Sequence, residues 1–525
     1  MKKLIKPSFW PKLFCGLLLF AQILVLIVAV FWLLSFVTDD AIGASYILFF
    51  IILIYALNLV LGVFIINSDT PYAYKVAWLF FVFGLPIGGA LLYLVFANKT
   101  NNASKRREVR KWTYPIVENE TSPKTHADLR EKAPHALSTS DYLSRIGGFG
   151  AHERTSVEYF PLVDFAFEPI LRELKKAKHY IFLEFFIVEP GVFWDSILAI
   201  LVEKAKEGLD VRLLYDDVGS LGTLPSGYMA KLRKEGIKVS AYNPFRPFLD
   251  IRQNNRDHRK ILVIDGHTAW SGGFNLADEY VNKVERFGHW KDNAILIKGE
   301  AVYSFTLLFL SVWVANGHRG EKIDKEYYSP DTYIEEAGGY PATSGFVQPY
   351  GDLPFDKEEF GESTYISLIQ HAADYCYITT PYLIIDSEME NALCRAAKSG
   401  VDVRLITPHI PDKKAVFNLT RSYYGKLLKA GVKVYEYTPG FVHEKTFCVD
   451  GRLATVGTIN LDYRSLYLHL ECGTLLIDMP CISNIKRDFE DSFPLCHEVK
   501  LEEWNRWRVR NRGYWSLLRI IDPLL

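Results

Sequence analysis

Three uncharged apolar runs, 13–37, 41–67 and 76–98, open the chain. Each is longer than the ~20 residues a helix needs to cross a hydrocarbon core. The first has 25 residues and no small-residue cleavage site after it, which sets it apart from a secretory signal with its ~7–15-residue apolar stretch. Only Thr38-Asp39-Asp40 joins it to the second run, the length of a tight helical hairpin. The third run carries Gly84, Pro86, Gly88 and Gly89 at its middle, residues that interrupt a helix. Lysines 2, 3, 6 and 12 precede the runs, and Lys99, Lys105, Arg106, Arg107, Arg110 and Lys111 follow them. The positive-inside rule asks for both clusters on one side. Two crossings satisfy it and three do not, so 76–98 is expected to be re-entrant or interfacial, with a cytoplasmic module after it.

Beyond residue 150 the pattern shortens and then repeats. Tyr180-Ile-Phe-Leu reads as a strand, followed by a helical stretch that ends at Gly208 and the apolar strand Leu-Asp-Val-Arg-Leu-Leu. Tyr375-Cys-Tyr-Ile, a helix ending at Gly400 and Val-Asp-Val-Arg-Leu-Ile repeat that order. A second helix–glycine–strand unit ends at Gly236-Ile-Lys-Val and again at Gly431-Val-Lys-Val. Glycine closes such helices in the left-handed region. Strands alternating with helices predict an α/β fold, here two similar domains related by a pseudo-two-fold. The expected division is a membrane region over 1–98, a basic segment and linker over 99–150, one domain over 151–335, its repeat over 336–503, and a basic aromatic tail over 504–525. That tail suits either a membrane interface or a terminal helix packed on the domain.

Charge and cysteine content narrow the class. Residues 1–111 carry a net +7 while the whole 525-residue chain carries −1, leaving −8 on the remainder. Such a balance disfavours nucleic acid as a partner. Seven scattered cysteines without a C-x-x-C pair fit a reducing compartment.

The chemistry lies at one matched place in each half. His258-x-Lys260-x₄-Asp265-Gly266 is followed by Gly272 and Asn275, and His443-x-Lys445-x₄-Asp450-Gly451 by Gly457 and Asn460, at identical offsets. Residues two apart on a strand share a face, so each His and Lys point together. The Asp-Gly turn sends the chain back antiparallel and returns each Asn beside its own His and Lys. Imidazole, ammonium and carboxamide suit a phosphodiester: lysine and asparagine hold the non-bridging oxygens, and histidine attacks phosphorus or protonates a leaving oxygen. A His near its ordinary ~6.5 does either near neutral pH. There is no phosphate-binding G-x₄-G-K-[ST] loop and no metal-ligand pattern, so neither a cofactor nor a metal is expected.

These two H-x-K-x₄-D motifs resemble the phospholipase D superfamily. The resemblance implies two α/β/α sandwiches whose motifs meet at one site. There one His becomes a phosphohistidine while the other protonates the leaving alcohol and deprotonates the incoming one. By analogy His258 is the nucleophile and His443 the acid and base, although the reverse assignment remains open. It also implies a carboxylate orienting each His, for which Glu471 suits the second half and Asp292 the first. Asp265 and Asp450 belong to the signature, but strand geometry puts them at the turn, in a structural role. The membrane runs, together with Gly272-Gly273-Phe-Asn275-Leu-Ala-Asp-Glu279-Tyr280 and Gly457-Thr-Ile-Asn460-Leu-Asp-Tyr-Arg464-Ser465, are similar to bacterial cardiolipin synthases. That similarity implies a multi-pass cell-membrane enzyme converting two phosphatidylglycerols into cardiolipin and glycerol. The alternatives are a hydrolase, a transferase to another alcohol, or a non-catalytic scaffold. Anionic membrane lipids are the expected partners, gathered by the basic residues at 99–111.

Overall fold

The computed structural model describes residues 41–68, 70–94, 111, 113, 115–245, 255–354 and 358–524. The apolar run 13–37 and all but Lys111 of the two basic clusters lie outside them. The chain divides into two units, one holding the N-terminal apolar helices and residues 519–524, the other holding the repeated halves.

In the first unit, α1 (Ala41–Ile66) is followed by α2 (Tyr72–Gly84) and the short α3 (Gly88–Leu92). Among the described residues, α1 alone is long and apolar enough to cross a membrane. The third apolar run breaks at the glycine–proline cluster, between α2 and α3. Gly89 closes this break because a Cβ there would meet the Phe81 carbonyl. The break leaves backbone carbonyls without helical partners. Asn58 of α1 answers them, its Nδ2 donating to the carbonyls of Val82 at 3.2 Å and Pro86 at 2.7 Å.

The stretch expected as a linker is folded. Ser122 caps α4 (Pro123–Lys132), and α5 (Leu137–Gly147) follows. The α5 helix packs on the second half: Thr139 meets Ser367 at 2.6 Å, and Gln348 Nε2 donates to the Ser140 carbonyl at 3.1 Å. Polar composition hid this, because α5 buries small residues (Thr139, Ser140, Ser144, Gly147) around the single large Leu143.

The first sheet takes the order β1-β8-β6-β5-β2-β3-β4. Its strands are β1 (Thr155–Phe160), β2 (Tyr180–Phe185), β3 (Asp210–Asp216), β4 (Lys238–Tyr242), β5 (Lys260–Ile264), β6 (Thr268–Gly272) and β8 (Ala294–Gly299). The short β7 (His289–Lys291) lies outside this sheet. Helix α6 (Val163–Lys175) leads from β1 into β2, α7 (Val192–Lys206) and α8 (Tyr228–Lys234) connect the parallel strands β2, β3 and β4, and α9 (Val302–Ala315) is buried along its length.

The second sheet runs β17-β12-β11-β10-β14-β15-β16-β9, the same order with one added edge strand. It comprises β9 (Phe346–Asp352), β10 (Tyr375–Thr379), β11 (Asp402–Pro408), β12 (Lys433–Tyr437), β14 (Thr446–Val449), β15 (Leu453–Gly457), β16 (Glu471–Ile477) and β17 (Cys496–Val499). Helices α10 (Phe360–His371), α11 (Ser387–Lys398), α12 (Lys414–Ala430) and α13 (Ile482–Ser492) accompany it, and β13 (Gly440–Val442) pairs with β7 of the other half. The halves are thus two similar α/β domains related by pseudo-symmetry, as their repeated helix–glycine–strand units predict.

The tail forms α14 (Leu501–Ile521). Its tryptophans serve packing on α12: Trp504 is buried and donates to the Arg421 carbonyl at 2.8 Å, and Trp515 donates to Asn418 at 3.3 Å. The Arg421 guanidinium lies 4.1 Å from the rings of both Phe417 and Trp507. Of the two readings of residues 504–525, the packed terminal helix describes the stretch from Trp504 to Trp515.

Candidate active site

Both motifs sit at the mouth of a strand. Lys260 opens β5 and Lys445 immediately precedes β14, so each His lies just before the sheet. The Asp-Gly pairs form the far turns, with Asp265 and Asp450 in the left-handed region at φ 50° and 51°. There Asp265 accepts from the backbone N–H groups of Lys178, His179 and Tyr180, each at 2.8 Å. Asp450 accepts in the same way from Ala373, Asp374 and Tyr375. Each carboxylate therefore pins the start of the neighbouring strand, β2 or β10, at the end of the sheet away from the histidines.

The two halves meet through their histidines. The His258 N–H donates to the Leu470 carbonyl at 2.9 Å, and the His443 N–H donates to the Lys291 carbonyl at 2.8 Å. Those carbonyls belong to the residues just before Glu471 and Asp292. The expected assignment of carboxylates is accordingly corrected. Glu471 accepts from His258 Nδ1 at 2.9 Å, and Asp292 accepts from His443 Nδ1 at 2.7 Å. Each imidazole is oriented by the carboxylate of the opposite half. Sequence offsets cannot show this, because a crossed pair and an uncrossed pair have the same spacings.

The lysine of each motif lies beside its own histidine. Lys260 Nζ donates to the His258 carbonyl at 2.6 Å, and Lys445 Nζ donates to the His443 carbonyl and lies 2.9 Å from His443 Nδ1. Asn275 was expected beside its own His. Its Nδ2 donates to the Tyr280 hydroxyl at 2.7 Å, and the Tyr280 ring lies 5.4 Å from His443, the imidazole of the other half. Asn460 is buried, and among the described residues its Oδ1 has no hydrogen-bond partner.

Several contributors carry no motif of their own. Thr458 donates from Oγ1 to Glu471 at 2.5 Å; its place in Gly-Thr-Ile-Asn was the available signal. Phe186 packs on His258 at 5.1 Å, while Trp290 and Phe441 flank His443 at 5.6 and 6.0 Å. Arg259, alternating with the motif residues, turns away into a buried contact 3.8 Å from Glu184.

Burial and charge set the protonation of this unliganded site. Both imidazoles are held well below their ordinary range, first by burial and then by the ammoniums of Lys260 and Lys445. Burial lowers Lys260 to about 8 and Lys445 to about 7, and it raises Asp292 to about 6. An anionic phosphodiester between the lysines cancels the charges that depress the histidines, so substrate and protonation are coupled. His258, His469 and Glu471 bring three ligand-type atoms within 4.8 Å of one another. His258 Nδ1 is already committed to Glu471, and two ammoniums stand nearby, which suits an anion better than a divalent cation.

Comparison with known proteins identifies this arrangement. The family model described as cardiolipin synthase, PLD-like domain, matches residues 170–313 and 365–493, one segment in each half. The chain belongs to the cardiolipin synthase family. A model described as the phospholipase D-nuclease N-terminal region matches residues 47–98. A cardiolipin synthase of Geobacillus thermodenitrificans is 35% identical over 96% of this chain and 99% of its own. An uncharacterized protein of Streptococcus mutans is 41% identical over 88% of this chain and 99% of its own. The crystal structure of phosphatidylserine synthase from Haemophilus influenzae aligns with a TM-score of 0.51 at 14% identity. It covers 70% of this chain and 95% of that one, a likeness of fold alone.

Proposed function

We propose that this protein is a membrane phosphatidyltransferase that joins two phosphatidylglycerols into cardiolipin, releasing glycerol, through a phosphohistidine. The observation that carries this reading is the crossed pair of carboxylate-backed imidazoles, His258–Glu471 and His443–Asp292, with Lys260 and Lys445 beside them. The lysines hold the non-bridging oxygens of the donor lipid. His258, neutral and oriented through Nδ1, presents Nε2 to phosphorus and forms the P–N bond as the P–O bond to glycerol breaks. His443, protonated once the phosphate is bound, gives its proton to the departing glycerol oxygen. The same His443 then removes the proton of the acceptor hydroxyl, which attacks phosphorus and releases His258. One phosphodiester replaces another, so no nucleotide is consumed.

Further features support a lipid rather than water as acceptor. Both histidines are only 7% exposed, and Phe186, Tyr280, Trp290 and Phe441 limit water around them. The apolar α1 and the broken third run fit a two-crossing anchor whose Asn58 satisfies the backbone of a re-entrant segment. In this reading 151–335 and 336–503 are the two catalytic domains, facing the cytoplasm of a bacterial cell. Asn275 and Asn460 shape the phosphate site, and Asp265 and Asp450 brace it.

Purified protein given phosphatidylglycerol alone tests the reaction. Cardiolipin with equimolar glycerol is the expected product. Phosphatidic acid with glycerol identifies a hydrolase, and no turnover overturns the assignment. Reporter fusions after residues 40, 70 and 112 test the anchor, the last being expected on the cytoplasmic side.

A further inference from the structure

The pseudo-two-fold extends one residue beyond the carboxylates. His469 stands two positions before Glu471, and Trp290 stands two positions before Asp292. The His469 ring lies 5.6 Å from His258 at an interplanar angle of 45°. The Trp290 ring lies 5.6 Å from His443 at 44°. Two different side chains thus occupy one geometric position, and both carry a ring N–H. Among the described residues the Trp290 indole Nε1 has no hydrogen-bond partner, just as the His469 ring nitrogens have none. His469 Nδ1 lies 3.7 Å from Glu471 Oε1.

His469 is otherwise uncommitted. Among the described residues neither ring nitrogen has a hydrogen-bond partner, and its side chain is 11% exposed. A buried donor left open in this way needs an explanation. On the carboxylate side, Glu471 Oε2 receives Thr458 at 2.5 Å and His258 at 3.0 Å, whereas among the described residues Oε1 receives only His258, at 2.9 Å. Oε1 therefore has room for the donor that stands just out of reach.

We propose that His469 is a positioning residue that donates its Nδ1–H to Glu471 when His258 carries the phosphatidyl group, the counterpart of Trp290 beside Asp292 and His443. Glu471 faces a neutral imidazole before attack and a positively charged one after it. A second N–H fixes the carboxylate against that change, so His258 keeps its aim through both half-reactions. The groups facing His469 are Glu471, which favours its protonation, and Arg464 and His258, which oppose it. Burial outweighs them and lowers the imidazole to about 3, so His469 works as a neutral donor with one proton.

This inference rests on the proposed phosphohistidine chemistry, and the test keeps the two separable. The full-length protein is assayed for cardiolipin formation as wild type, His469→Phe, His469→Asn and Trp290→Phe, with thermal melting to report folding. His469→Phe is expected to lower kcat about 30-fold with KM within twofold, and to move the acid limb of the pH–rate profile upward. His469→Asn, which restores an N–H, is expected within threefold of wild type with the acid limb in its original place. If His469→Phe fails to fold, the Asn variant and Trp290→Phe decide, the latter expected to lower kcat about 30-fold at constant KM. A Phe variant equal to the Asn variant, an unmoved pH profile, or a loss confined to KM overturns the positioning role. An inactive wild type instead overturns the reaction on which it rests.

Discussion

Glu471 accepts a hydrogen bond from His258 although 213 residues separate them in the chain. The reciprocal pair, Asp292 with His443, spans 151 residues. The active site is therefore an exchange between halves, in which neither domain holds a complete His–carboxylate pair by itself.

That exchange fixes how variants sort. Glu471→Gln is expected to share the defect of His258→Ala, and Asp292→Asn that of His443→Ala, each lowering kcat by at least about 100-fold. With phosphatidylglycerol labelled at phosphorus and a neutral detergent quench, the first pair forms no phosphoenzyme, and the second pair forms one slowly and retains it. Grouping by half, with Glu471→Gln behaving like His443→Ala, would refute the crossed roles.

The buried lysines predict an alkaline loss. Burial lowers Lys445 to about 7 and Lys260 to about 8, so their cationic forms exist below those values and disappear as pH rises through them. In the free protein kcat/KM is expected to fall from about pH 7 upward. In the complex the bound phosphate favours the ammoniums, so kcat holds to higher pH. A flat kcat/KM up to pH 9 contradicts this account of the phosphate site.

Asp265 illustrates a motif residue whose work is structural. Asp265→Ala removes three charged hydrogen bonds at 2.8 Å and places alanine at φ 50°. A loss of about 3 kcal/mol is expected, visible as a fall in melting temperature. Asp265→Asn, which tolerates the left-handed backbone, loses less. Activity per folded molecule stays near wild type in both, which distinguishes this position from the histidines.

In the N-terminal unit, Asn58→Leu leaves the carbonyls of Val82 and Pro86 without their donor. The expected cost is about 2 kcal/mol. Cysteines placed at residues 85 and 87 should label faster in this variant than in the wild type, and equal labelling would show that the break is held by other means.

Much of the fold was legible because its signals are local. Helices ending at Gly208, Gly236, Gly400 and Gly431, each in the left-handed region, mark the strand–helix units directly, and the Asp-Gly turns mark the two hairpins. The linker reading failed where burial used small polar residues: Thr139, Ser140 and Ser144 look like solvent-exposed positions until Ser367 and Gln348 are brought against them. The tail's arginine–tryptophan mixture was equally undecided, because stacking of Arg421 between Phe417 and Trp507 leaves no periodic trace.

Residue identity and spacing by themselves determined the chemistry: two imidazoles and two ammoniums paired by the two-residue repeat of a strand, and two aspartates placed by the Asp-Gly turn that ends it. Only the tertiary structure decided who partners whom. Hydrogen bonds such as those from His258 to Glu471 and from His443 to Asp292 depend on which strand mouths face each other across the pseudo-dyad. That relation comes from packing two sheets together, and no interval along one chain encodes it.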